Sequence, residues 1–420
     1  MIASRRFRML QTVGAICAGV LVCCQSASAA VLLQVDRSVP NAAIELWFRT
    51  PSAGERNDNR GICVLAATAI AASHDAGALS LADLIKGVGG RISIDIYPDI
   101  ASVTAFIPAA QAPQVLAAMT KAYFAPAISA DGLKAAQRDV AFAVTARQFD
   151  TDRMLHDLLL HQLFSGGPQH YSTLPASVSA LAELTPADIG AFARRAFRAQ
   201  NAVVSLAGDL DPAIVNAVLP ARHLGEAMAA PFDSTLAPAG ASTTASAYDP
   251  GIGLAWAGPG ITDTRAATAL DFIADYLFRG DSGVVAEQVD RIAPSVYLTG
   301  QFITLHRPGA MVVTIAGEGY QKIREAALDA VAKMAQPLDQ QTFLAARNAF
   351  EYHILSDSQT LLSRADNAGW YTVEGNAAYA PSDSSGMYLK TADSLDAQFV
   401  AAVARKYLTT PTIVELVKTK

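Results

Sequence analysis

Cysteine is nearly missing from the part of this chain that has to fold. Of four cysteines, Cys17, Cys23 and Cys24 sit in the first 24 residues and only Cys63 lies beyond them. No internal disulfide can form after that point, so stability must come from packing. A basic excess is missing too: 32 Lys and Arg face 38 Asp and Glu, for a net charge of −6. With no positive surplus to neutralise phosphates, nucleic-acid binding is not expected. Glycine (28) and proline (20) are no more than average, which excludes collagen-like and low-complexity material. Charged residues are scarce at 17% and hydrophobic ones make up 51%, which excludes a disordered chain.

The start of the chain has its own pattern. Arg5, Arg6 and Arg8 precede an apolar run from Met9 to Cys24, followed by Gln25-Ser-Ala-Ser-Ala29. This reads as a secretory signal peptide over residues 1–29 with an A-x-A site, cleaved after Ala29. The run is short for a membrane span of roughly 20 residues, so no stable membrane anchor is expected. Val22 and Cys23 stand before the candidate cysteines where a lipoprotein needs small residues. Losing three arginines and no acid takes the net charge from −6 to −9. The remaining chain is read as soluble and periplasmic or secreted.

At 420 residues the chain exceeds a single core, and what remains is written twice. Ala43-Ile-Glu-Leu-Trp-Phe-Arg49 has a counterpart in Gly251-Ile-Gly-Leu-Ala-Trp-Ala257, and Ala101 to Pro108 in Ala310 to Gly317. Ala191-Phe-Ala-Arg-Arg-Ala-Phe197 matches Ala402-Val-Ala-Arg-Lys-Tyr-Leu408. Subtracting the first residues gives offsets of 208, 209 and 211, in the same order along the chain. Thr185-Pro186 before Asp188 is a helix start, with a capping hydroxyl and proline at the first helical position. Ile189, Phe192, Ala193 and Ala196 then supply one apolar face. Asp131 to Phe164 reads as one or two long helices, and Ser165-Gly-Gly-Pro168 stops them. The expected architecture is α+β, two homologous domains of a sheet with helices packed on it. The first spans 30–228 and the second 251–420. Residues 229–250, rich in Ala, Ser, Thr and Pro, read as a linker.

The ordered set of features resembles the insulinase/pitrilysin family, which includes the mitochondrial processing peptidase subunits. The set runs from an amphipathic strand through the turn Pro51-Ser-Ala-Gly-Glu55 to Gly61 opening a helix. Gly89-Gly90 entering a strand, Thr185-Pro-Ala-Asp188 and Ala207-Gly208-Asp209 follow, and the scheme then repeats. The likeness covers about residues 31–420. It implies half of a clam-shell, in which four such domains, often from two chains, enclose a peptide chamber. Active members carry an inverted H-x-x-E-H helix whose two histidines bind zinc while the glutamate activates water. In this chain Val64 and Thr68 stand at the histidine positions and Ala67 at the base position. The stretch Val140-Ala-Phe-Ala-Val-Thr145 has no acid for the third ligand, and Asp139 is the nearest carboxylate. No catalytic residue and no metal ligand is therefore assigned, and no cofactor is expected in this chain. The resemblance also implies an Arg and a Tyr in the second half that hold substrate backbone. Arg291 and Tyr297 are the candidates, with Asp290 standing where an ungapped reading wants the arginine. The loop Gly280-Asp281-Ser282-Gly283 would line the substrate chamber through Gly280, Ser282 and Gly283. Its likeness to a serine-protease nucleophile loop fails in context, because long helices surround it.

The other chemistry-bearing residues read as structural. His156 and His161 are five apart on a helix and diverge by about 140° around its axis. His74 suits a helix C-terminus. His170 follows a turn. His223, His306 and His353 have no acidic or cysteine partner at ligand spacing, and Cys63 faces an apolar helix as an inert thiol. The chain is expected to be a non-catalytic subunit that shapes a peptide-binding chamber for a zinc-bearing partner of the same family. The alternatives are a stand-alone periplasmic peptide-binding or scaffold protein, and an active peptidase with an atypical site.

Overall fold

The computed structural model describes residues 31–49, 60–75, 77–166, 177–219, 224–229, 235–280, 282–375 and 384–419. The segment read as a signal peptide, the Pro51–Glu55 turn, Asp281, His170 and His223 lie outside these residues. The first half runs β1 (Val31–Val35), β2 (Asn41–Phe48), α1 (Ile62–Ala72), α2 (Leu81–Gly87), β3 (Arg91–Ile96) and β4 (Ala101–Pro108). It continues with α3 (Ala112–Phe124), α4 (Ala130–Ala146), α5 (Thr151–Leu163), α6 (Val178–Ala182), α7 (Pro186–Ala196), β5 (Ala202–Gly208) and α8 (Pro212–Val218). The second half runs β6 (Ser242–Ala247), β7 (Gly251–Gly258), α9 (Thr264–Phe278), α10 (Ala286–Ile292), β8 (Tyr297–Ile303) and β9 (Gly309–Ala316). It ends with α11 (Tyr320–Lys333), α12 (Gln340–Asp357), α13 (Leu361–Val373), α14 (Ser384–Asp393), α15 (Ala397–Tyr407) and β10 (Thr412–Lys418).

Each half has a five-stranded sheet, and the two orders, β1-β5-β2-β4-β3 and β6-β10-β7-β9-β8, are the same arrangement repeated. In both, the first strand runs parallel to the last and the other pairs are antiparallel. The internal duplication read from the sequence is thus a duplication of topology. One part of the linker expectation is corrected: within 229–250, Ser242–Ala247 form β6 and pair with β10 over Ile413–Lys418. Its Ser-Thr-Thr-Ala-Ser-Ala composition resembles a linker because an edge strand needs little apolar surface.

The two halves exchange helices. Ile44, Leu46 and Phe48 of β2 face the first core under α1, α3, α4 and α7. The opposite face carries Ala43 and Trp47, which pack on Leu361, Ala365, Ala368 and Val373 of α13, a helix of the second half. In return, Leu155, Leu159 and Leu160 of α5 cover Ala255, Val312 and Leu416 of the second sheet. Both faces of the central strands are therefore buried, which explains their near-continuous apolar runs. Two glycines permit the close approach. A Cβ on Gly369 of α13 would lie 2.1 Å from Trp47 Nε1, and one on Gly253 of β7 would lie 2.4 Å from Leu159 Cδ1. Hydrogen bonds sew the exchange: Ser205 Oγ donates to the Ala365 carbonyl at 2.6 Å, and Arg49 Nε to that of Val373 at 2.6 Å. No helix among the described residues is long and apolar enough to cross a membrane.

Candidate functional site

α1 starts after Gly61, whose left-handed backbone (φ 81°) turns the chain into the helix. Its sequence, Ile-Cys-Val-Leu-Ala-Ala-Thr-Ala-Ile-Ala-Ala, is apolar all round, as befits a helix enclosed by neighbours. It packs against α4 and α7 on the first sheet. From Gly61 to Ile70 every residue is buried except Val64 and Thr68, which are half-buried. Ala67 is 0% exposed, and its carbonyl accepts a 2.9 Å hydrogen bond from Tyr123 Oη. From α4, Ala136, Val140 and Val144 complete the same apolar cluster, while Asp139 lies on the exposed side of that helix.

Zinc needs imidazole, thiolate or carboxylate donors converging on one point. Here the side chains are two methyl-bearing stems, one methyl and one hydroxyl, with valines opposite. They do not fit a zinc ion, and no proton-transfer step can be routed through them. Among the described residues no group of three His, Cys, Asp or Glu side chains could hold a metal.

The five residues assigned to substrate contact do not form one cluster. Arg291 is exposed near the end of α10, its Nε donating to the Glu287 carbonyl at 3.2 Å. Tyr297 opens edge strand β8 and is 60% exposed. Gly280 (φ 30°), Ser282 and Gly283 form the turn after α9. Ser282 lines a cavity of about 420 Å³ with Asp275, Tyr276 and His353, to which neither Arg291 nor Tyr297 contributes.

This cavity brings together the residue types of a hydrolytic triad. Asp275 carboxylate oxygens accept from His353 Nδ1 at 2.9 and 3.0 Å, which orients the ring, and Ser282 stands in the same wall. Two facts argue against nucleophilic catalysis. No hydrogen bond joins Ser282 to His353 among the described residues, and the amides of Ser282 and Gly283 both donate to the Arg279 carbonyl, at 3.0 and 2.7 Å. The amides beside the would-be nucleophile are thus not free to hold an oxyanion.

The histidines pair differently from expectation in two cases. His353 gains Asp275 from α9, and His306 meets Asp99, whose Oδ2 accepts from the His306 amide at 3.2 Å. Both partners come from distant chain positions, so ligand spacing could not reveal them. His156 and His161 do diverge: the first contacts Gln301 at 3.2 Å and the second accepts from Arg60 Nη2 at 3.1 Å. His74 Nδ1 donates to the Asp75 carbonyl at 3.0 Å, and Cys63 is buried.

A larger cavity, about 560 Å³, was not anticipated. Asp271 and Asp275 of α9, Gln301 of β8, Asp357 of α12, Asp366 and Tyr371 of α13, and Tyr388 of α14 are among its lining. It occupies the second-half place that corresponds to the α1–α4 contact. The two half-buried positions of α1, Val64 and Thr68, map by spacing and burial onto Asp271 and Asp275, with Ala67 on Ala274. The only sequence signal was this pair of aspartates four apart, a pattern that ordinarily marks a solvated helix face.

No family model and no curated protein matches the chain. Solved structures do. The peptidase M16 inactive domain from Pseudomonas fluorescens superposes with a TM-score of 0.76 at 19% identity, over 94% of this chain and 98% of that one. A protease from Helicobacter pylori gives 0.77 at 15% identity, over 92% and 96%. An M16-like peptidase from Alicyclobacillus acidocaldarius gives 0.73 at 12%, over 93% and 96%. The α+β fold of two repeated sheet-plus-helices halves is therefore the M16 peptidase fold, as the resemblance to the insulinase family implied. At these identities the likeness establishes architecture, and chemistry must be argued from the side chains.

Proposed function

We propose that this chain is a non-catalytic, insulinase-like subunit that shapes a peptide-binding chamber beside a zinc-bearing partner of the same fold, in the periplasm or outside the cell. The observation that carries the reading is the replacement of the metal-binding and base positions by Val64, Thr68 and the fully buried Ala67. The fold is kept over nearly the whole chain, while those three positions carry no imidazole, thiolate or carboxylate. Its match to a structure described as an inactive M16 domain supports the same reading.

Isolation of the tagged chain from its native exporting cells, with mass spectrometry of what co-purifies, tests this. The expected result is a second chain with an intact H-x-x-E-H helix, and chelator-sensitive peptide hydrolysis only when both are present. Recovery of this chain alone, from cells that also make such a partner, would favour a stand-alone binding protein. Chelator-sensitive hydrolysis by the purified chain by itself would overturn the assignment.

A further inference from the structure

The 560 Å³ cavity of the second half has the size of a small-molecule site and a chemistry that the subunit reading does not use. Its charges are unevenly satisfied. Arg279 is taken up by Asp357, with Nη1 at 2.7 Å and Nη2 at 2.9 Å, and by Asp275 at 3.4 Å. His353 covers Asp275 from the other side. That leaves two carboxylates with no cation among the described residues. Asp271 accepts from the Tyr388 hydroxyl through Oδ2, and its Oδ1 has no partner among the described residues. Asp271 is half-buried and lines the cavity. Asp366 makes no hydrogen bond or ion pair among the described residues and lines the same void. Tyr371 and Tyr388 add aromatic rings, whose faces attract cations. The aspartates do not converge into a group able to hold a metal ion.

We propose that this cavity binds an organic cation, an alkylammonium or guanidinium group, between Asp271 and Asp366 and against the rings of Tyr371 and Tyr388. An organic cation fits where a metal does not, because it spreads its charge over several donors and fills volume. The proposal is independent of the subunit reading, since it needs no partner chain.

The two carboxyls supply a distinctive signature. Burial, and Asp275 next to it, raise Asp271 to about 7, against the lowering by Tyr388. Burial, and Asp95 of β3, raise Asp366 to about 6. Other groups frame them: Asp357 and His353 from α12 around Asp275 and Arg279, and Glu45, Tyr97 and Arg153 around Asp95. Without a cation Asp271, at about 7, is half-protonated at neutrality, and Asp366, at about 6, takes up its proton just below neutrality. A cation favours the ionised forms, so its binding releases protons and strengthens as pH rises.

The test uses the full mature chain and calorimetric titration with agmatine, spermidine, a blocked Gly-Arg-Gly peptide and its neutral citrulline analogue. Titrations at pH 5.5 and 8, in two buffers of different ionisation enthalpy, measure both affinity and protons released. The expected result is binding of cationic probes only, with proton release near neutral pH and affinity about ten-fold or more higher at pH 8. Asp271→Asn with Asp366→Asn should lose at least about ten-fold in affinity while the fold is kept, since the amides preserve volume and remove buried charge. Asp139→Asn, on the exposed side of α4, should change nothing. Comparable binding of agmatine and peptide assigns the guanidinium group they share, binding of agmatine or spermidine without the peptide assigns a free small cation, and binding of the peptide alone assigns a peptide side chain; all three keep the site. Absence of binding by every cationic probe at pH 8 overturns the proposal. Binding that ignores pH and releases no protons overturns it too, whatever the variants do.

Discussion

The two halves share a frame and differ where the helices meet over each sheet. In the first half, α1 and α4 close on each other through Ala66, Ala67, Ala136, Val140 and Val144, and the contact is apolar. In the second, the rings of Phe272, Phe343 and Phe350 stand between α9 and α12, with centroids 5.5 and 5.8 Å from Phe272. Beside them lies a polar void lined by Asp271, Asp275 and Asp357. Small side chains let one helix pair collapse, whereas large ones prop the other open. Duplicated topology has therefore not duplicated chemistry: side-chain volume decides whether a cavity exists, and side-chain charge decides what it could hold.

The strongest way to break this contrast is to write the missing motif back into the first half. The triple variant Val64→His, Ala67→Glu, Thr68→His should not bind zinc stoichiometrically, because α4 offers no third ligand and Asp139 faces solvent. It should also lose stability. Ala67 is completely enclosed, and an unpaired buried carboxylate there costs about 3–5 kcal/mol. Urea unfolding together with metal analysis of dialysed protein decides the point. Zinc at one equivalent with an unchanged unfolding midpoint would show that the first-half contact is a dormant metal site and not a filled one.

Corresponding core positions sharpen the contrast. Val140 of α4 and Phe350 of α12 each sit eleven residues beyond their helix N-caps, Ser129 and Asp339. Truncating the ring removes contacts with Phe272 and Tyr388. Phe350→Ala should cost about 3–5 kcal/mol and Val140→Ala about 2 kcal/mol. The Phe350 variant should also admit a larger ligand into the second-half cavity, which it lines. Equal losses at the two positions would mean that the rings do not prop α9 from α12.

Much of this was legible in the residues. The helix cap at Thr185 is present, with the Asp188 amide donating to Thr185 Oγ1 at 3.2 Å, and Ile189, Phe192, Ala193 and Ala196 form its buried face. The repeated order of strands was legible because buried strands and amphipathic helices each impose a period on the side chains. The emptiness of α1 was legible because a donor atom is either in a side chain or not. The helix exchange was not, since α5 and α13 show the same apolar stripe whichever sheet they cover. Strands β1 and β6 were missed because edge strands are short and, in β6, built of small polar residues. The large cavity was missed because Asp366 reaches it from the exchanged helix, 95 residues from Asp271 by subtraction. His353 and Asp275 were missed as a pair because they lie 78 residues apart on separate helices.

The exchange itself can be probed through two charged contacts of opposite sign. Where α13 meets the end of β1, Arg364 Nη2 lies 2.5 Å from Asp36 Oδ2. Hydrogen bonds from Ser38, then Arg364, hold the Asp36 carboxyl down to about 2. That contribution is present above the ordinary carboxylate pKa of about 4 and is lost as pH falls through about 2. At the other end of α13, Asp99 of the first half and Glu374 of the second are 6% and 2% exposed. Burial raises both, and Asp99 pushes Glu374 up further while Arg49 opposes it. Asp99 Oδ1 and Glu374 Oε1 have no hydrogen-bond partner among the described residues, and His306 Nδ1 donates to the Glu374 carbonyl at 3.0 Å. A raised carboxyl works in the opposite sense: the folded chain keeps protons that the unfolded chain has released, so stability falls as pH rises from about 4 toward the folded pKa. Urea midpoints should therefore decline between pH 5 and pH 8. Asp99→Asn should flatten that slope by on the order of 1–2 kcal/mol, while Arg364→Ala should shift both midpoints equally and leave the slope alone. An Asp99→Asn variant with the parent's slope would place the pH dependence elsewhere and leave the two ends of α13 energetically alike.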